Sequence, residues 1–143
     1  MSRLRGLLLL FGLAPFMTAC ERGPVLDPAL AEAPLPSLAT PIDQELADAG
    51  AWYFRRNCSA CHHVGGTDAL IGPNLAGVTQ RREMPWIAAM IRRPDSMIMH
   101  DSTARALLEQ YKVPMANREL DGARIRAVIE FLRRADHGPA DEP

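Results

Sequence analysis

Two stretches of this chain keep apolar positions at helical spacing. In the first, Gly50, Phe54 and Cys58 recur at steps of four and share one face of a helix expected over residues 43–58, capped by Asp43 or Thr40. In the second, Ile125, Val128, Ile129 and Leu132 form the apolar stripe of a helix expected to begin around residues 120–121. Phe131 sits towards its end, where Arg133 and Arg134 are expected to meet the helix dipole. Two shorter helices are predicted between them. Pro85-Trp86 opens one that stops before Pro94, and Asp101 caps another with Ala104, Leu107, Leu108 and Tyr111 along one side. Met97, Met99 and His100 then fall in a connector. No stretch alternates with a period of two, so the expected class is all-α. Gly50 in mid-helix costs about 1 kcal/mol against alanine, which implies that another element approaches closely there.

The N-terminal pattern is different. Residues 7–17 (LLLLFGLAPFM) form one apolar run behind Arg3 and Arg5. A membrane span takes about 20 such residues, so this run has the length of an export signal instead. Met17-Thr18-Ala19-Cys20 resembles a bacterial lipobox, with cleavage before Cys20 and lipid attached to it. Residues 1–19 are therefore expected as signal peptide and 20–42 as lipidated Cys20 plus a tether. Residues 43–137 make the domain and 138–143 a flexible tail. Pro24, Pro28, Pro34, Pro36 and Pro41 punctuate the tether, and polyproline backbone would give it a reach on the order of 60 Å. The expected location is the periplasmic side of the bacterial cell envelope, lipid-anchored to a membrane.

Charge adds little about partners. The full chain carries a net −1, and loss of residues 1–19 leaves 14 basic against 17 acidic groups. Lys112 is its lone lysine, so no lysine ring or basic nucleic-acid footprint is present. A domain of under a hundred residues has little surplus core, and a covalently held group would supply much of its apolar centre.

Such a group is indicated by Cys58-Ser59-Ala60-Cys61-His62, a CXXCH run. Two thiols so spaced can add across the vinyl groups of one haem, and the following imidazole can reach its iron. A thioredoxin-like dithiol would need a βαβ setting, and half a zinc site would need a second spaced pair of ligands; neither is evident. Cys58 and Cys61 are thus the candidate covalent haem attachments and His62 an axial ligand. His63 and His100 read as exposed residues.

From these residues the chain resembles a class I cytochrome c. Gly50-Ala51-Trp52-Tyr53-Phe54 is similar to that family's N-terminal helix, and Phe131-Leu132-Arg133-Arg134-Ala135 to its C-terminal helix, whose aromatic packs across the glycine. Gly72-Pro73-Asn74-Leu75 looks like the loop beneath the haem, and by position the Pro73 carbonyl would accept a hydrogen bond from the free nitrogen of the His62 ring. The resemblance implies two helices crossing at the ends of the domain, with shorter helices and loops around one haem c. It also implies a methionine as sixth ligand. Met84 precedes a proline but opens a helix, Met90 belongs to that helix, and Met97 and Met99 lie in the connector. Met115 follows Val113-Pro114 and precedes the last helix, the family's place for the ligand. Trp86 would donate to a haem propionate, and Arg81 and Arg82 could neutralise propionates.

Two protein ligands close the iron to substrate, so the expected role is single-electron transfer and not catalysis. A monomeric carrier would join a quinol-oxidising complex or cupredoxin to a terminal oxidase or reductase. The alternatives are a haem subunit docked in a larger respiratory complex, and a haem sensor or copper-handling protein that uses Met97, Met99 and His100.

Overall fold

The computed structural model describes residues 23–66 and 69–137. Among them all regular structure is helical: α1 Gln44–Asn57, α2 Val78–Arg81, α3 Met84–Arg92, α4 Pro94–His100, α5 Ser102–Tyr111 and α6 Gly122–His137. A 3-10 turn at Pro28–Ala31 precedes them. Cys20, with the export and lipidation reading, and the tail at 138–143 lie outside the described residues.

Helices α1 and α6 form the frame. Asp43 starts α1 by accepting the Leu46 amide at 3.0 Å, and it is the cap that is used. At the crossing, a Cβ on Gly50 would lie 1.9 Å from the Ala127 carbonyl oxygen and 2.9 Å from Cβ of Phe131. Backbone meets backbone here, so glycine is required sterically and its helix-propensity cost is outweighed. The Phe54 and Phe131 rings pack one turn on, with centroids 5.1 Å apart. Leu46 from α1 and Ile125, Val128, Ile129 and Leu132 from α6 are buried around this contact.

Three expectations are corrected. Met97, Met99 and His100 are not in a connector but on α4, which begins directly at Pro94. Proline ends α3 and, with its φ preset, also supplies the first residue of α4. Helix α2 is absent from the predicted elements because it is one turn long, too short for an apolar period. Its start is clamped by Asp136 of α6, which accepts from the Gly77 amide and, at 2.8 and 2.6 Å, from the Thr79 amide and hydroxyl.

The third correction concerns residues 23–42. They do not extend as a free tether but lie as a strap against α1 and α6. Leu26, Leu30 and Leu35 pack on the core. The Pro24 carbonyl accepts from the Tyr53 hydroxyl at 2.7 Å, and Arg126 donates to the carbonyls of Ala33 and Pro34. Prolines keep this backbone extended, and an extended backbone bares its carbonyls to arginine donors while the leucines between the prolines bury apolar surface. Arg133 belongs to the same arrangement. Instead of meeting the helix end in solvent it is fully buried, pairs with Glu130 at 2.7 Å and donates to the Thr40 carbonyl. Burial, partly offset by Arg133, pushes the Glu130 carboxyl above the usual carboxylate range.

Candidate functional site

Where α1 ends, the chain turns tightly enough to bring both thiols and the imidazole to one place. Cys58 closes the helix with its amide on the Phe54 carbonyl, and the Cys58 carbonyl then accepts from the amides of Cys61 at 3.0 Å and His62 at 2.9 Å. Beyond a loop, the Gly72 amide returns to the Cys61 carbonyl at 2.9 Å and the Leu75 amide to the His63 carbonyl at 2.7 Å. Asn74 donates to the carbonyls of Gly65 and Gly66 and accepts from Ala76, so its side chain laces the loop together. Gly65 and Gly66 have φ of 103° and 69°, values that favour glycine.

This lacing sets the chemistry of His62. Its Nδ1 lies 2.9 Å from the Pro73 carbonyl oxygen. A carbonyl can only accept, so Nδ1 carries the proton and Nε2 keeps its lone pair. The ring is buried. A Cβ on Gly72 would come within 2.7 Å of its Cε1, so the close approach of that backbone also holds the ring in place.

An apolar cavity of about 520 Å³ opens beside this turn. Cys58, Cys61, His62, Pro73, Trp86 and Met115 all line it, drawn from α3 and the loops at 58–75 and 112–121. Of the candidate methionines, Met90 and Met115 reach this wall; Met84, Met97 and Met99 do not. Met90 is fixed inside α3, whereas Met115 comes from the loop before α6. His63 is exposed, and so is His100, whose Nδ1 lies 2.9 Å from the Ser96 carbonyl. Met97 and Met99 are two residues apart on a helix and so lie about 160° apart around it. That spacing gives no shared soft-metal pocket.

Arginines surround the cavity. Arg81, Arg82 and Arg118 all line it. Arg82 stacks on Trp86 at 5.3 Å, and Arg81 donates to the Ala76 carbonyl. Trp86 is half-buried in the wall. The Ala104 amide first, and Trp86 after it, hold the Asp101 carboxyl below its usual range. No sequence signal points to Arg118: it lies three residues beyond Met115, and no spacing rule connects it to Cys58. Burial pushes the Cys58 thiol up to about 11, with Arg118 pulling the other way.

The residues present fit a haem held through two thioethers. The cavity is apolar, the two thiols and an imidazole with a free Nε2 share its wall, and cationic groups offer partners for propionates. Comparison with known proteins agrees. The family model described as cytochrome c matches residues 47–136. Cytochrome c from Rhodothermus marinus superposes with a TM-score of 0.67 at 32% identity, covering 76% of this chain and 94% of that one. An engineered cytochrome c from the same organism gives 0.67 at 31% identity, covering 76% and 96%. An engineered form bound to a carbene intermediate, 1-ethoxy-1-oxopropan-2-ylidene, gives 0.64 at 31% identity with the same coverage. No curated protein matches the chain.

Proposed function

The chain belongs to the cytochrome c family, and from that premise we propose a membrane-tethered carrier that passes single electrons between respiratory redox proteins. It is a class I monohaem cytochrome with covalent haem c, and its all-helical fold is that of the family. Cys58 and Cys61 would form the thioethers, with His62 Nε2 and the Met115 sulfur as axial ligands. When bound, the haem supplies one-electron exchange between ferric and ferrous iron.

The His62–Pro73 hydrogen bond carries this reading. It holds the ring in the tautomer whose Nε2 can ligate, and the apolar wall would keep water from a bound haem iron. A thioether opposite would favour the ferrous state, and the pair would leave no position for a substrate. Arg81, Arg82 and Arg118 would meet propionate charge. Ile71 and Val113, each about half exposed, give the cavity an apolar rim where a partner protein could dock. A quinol-oxidising complex or cupredoxin as donor, and a terminal oxidase or reductase as acceptor, are the partner classes proposed. Attachment through lipidated Cys20 would place the protein on the periplasmic side of the envelope. Among the described residues no helix is long and apolar enough to cross a membrane.

The test is the optical spectrum of purified holoprotein. One c-type haem by pyridine haemochrome, with low-spin spectra in both oxidation states, is expected. Prompt carbon monoxide binding by the reduced protein would overturn the carrier reading in favour of a sensor.

A further inference from the structure

Composition predicts a long leash for residues 23–42, and their packing removes that freedom. Gly23 lies against the Trp52 ring: a Cβ there would be 2.5 Å from Cη2 of the indole. Pro24 is bonded to Tyr53, and Asp27 caps the 3-10 turn by accepting the Ala29 amide. The strap is therefore seated from its first described residue. Only three chain steps separate Cys20 from Gly23, which span at most about 11 Å in any conformation.

Trp52 and Phe54 are two residues apart on α1, hence about 160° apart around it. Phe54 lines the haem cavity, whereas Trp52 faces the strap and lines a separate groove with Pro24 and Val25. The start of the strap and the haem cavity thus lie on opposite sides of α1. Val25 is 98% exposed, the barest large hydrophobic side chain among the described residues. Nothing among the described residues covers it, and it stands five residues from the lipid-bearing position. Trp52 beside it is half-buried, with Arg56 stacked on its face at 4.4 Å. Indole and guanidinium side chains suit the headgroup region of a bilayer.

We propose that the strap is a mount: lipidated Cys20 seats the Val25–Trp52 end of the domain on the bilayer surface and turns the haem cavity away from it. This rests on the lipidation of Cys20 proposed above. The occupant of this face is the membrane carrying the anchor, because no other surface is held within about 11 Å of Gly23 by the chain itself. Such a mount would present the cavity rim to partners in one orientation.

The haem itself reports orientation. Full-length holoprotein would be reconstituted into aligned bilayers of phosphatidylethanolamine and phosphatidylglycerol, and linear dichroism recorded in the Soret band. In parallel, the mass of the N-terminal peptide would show whether Cys20 carries lipid. Finite dichroism is expected, lost to baseline when a long Gly-Ser segment is inserted between Arg22 and Gly23. The insertion lies outside the packed domain, so an unchanged absorption spectrum would verify its fold. Lipidated protein without dichroism, or dichroism undiminished by the insertion, would overturn the mount and leave lipidation standing. Absence of lipid on Cys20 would overturn both, and the mass distinguishes the two cases.

Discussion

Beneath the His62 ring, residues 58–75 close on themselves: amides of Cys61, His62, Gly72 and Leu75 all find carbonyls within the segment, and Asn74 ties its ends. The stretch that brings Met115 to the same cavity is made differently. It runs from Lys112 to Asp121 without regular structure, with Asn117 accepting the Glu119 amide as a local turn. Both Lys112 and Glu119 hold positive φ, 61° and 52°, without being glycine. Each such conformation costs on the order of 1 kcal/mol. One wall is thus tied by its own backbone hydrogen bonds, while the other would draw much of its order from the bond its methionine makes. The difference suits a carrier: imidazole geometry stays constant, and the sulfur side is where potential can be tuned.

The largest break in that comparison comes from removing what both walls surround. Cys58→Ala with Cys61→Ala should leave a chain without covalent haem, and a domain this small loses the centre of its core with it. Circular dichroism is expected to show loss of most helix. A well-folded apo variant would mean that the α1–α6 crossing suffices alone, and the proximal lacing would then be scaffold independent of the cofactor.

Met115→Ala should act next, and selectively. The far-red sulfur-to-iron band of the oxidised protein is expected to vanish while haem and helix content stay. Stability should drop by about 2 kcal/mol, at the low end for truncation of a methionine because the side chain is only partly buried. Survival of the band would move the ligand to Met90, the other methionine on the wall.

Gly72→Ala probes the organised side by overpacking. Its methyl would press on His62 Cε1, so the ring must tilt or the loop must shift, at about 1–2 kcal/mol. A changed haem spectrum with Met115 still bound is the expected outcome. If spectrum and urea midpoint both stay at wild type, residues 58–75 are as pliable as the methionine loop and the contrast fails.

What the sequence makes legible follows the same divide between local and distant causes. Helices α1 and α6 announce themselves because period, cap and mid-helix glycine act within a few residues, and the CXXCH run carries its chemistry in five. The strap has the composition of a solvated linker; the leucines and bare carbonyls that dock it act only once α6 is present. Arg133 looks like a C-terminal surface charge for the same reason. Its partner Thr40 stands 93 residues away, and no local pattern records such a contact. Asp136, which clamps α2, and Arg118, which lines the same cavity as Cys58, are equally silent one at a time.

The smallest expected effect is a proton at Glu130, which belongs to neither wall and so serves as a background against which both can be read. Its folded pKa is raised, chiefly by burial, so the native state holds this proton more tightly than the unfolded chain does. The stability it contributes is fully present below the ordinary glutamate range and is lost as pH rises through the raised value. Asp101 has the opposite sign: lowered in the fold, it adds stability above the ordinary aspartate range and loses it as pH falls through its own value. The two windows lie on opposite sides of the ordinary carboxylate range. Urea midpoints of wild type and Gly72→Ala should therefore decline in parallel as pH rises just above the glutamate range, and Glu130→Gln should flatten that decline. The neutral amide in that variant would also leave Arg133 buried without a counter-charge, lowering the whole curve, so the slope and not the height is the measurement. A slope that differs between wild type and Gly72→Ala would mean that the buried pair under the strap and the loop beneath His62 are coupled through α6.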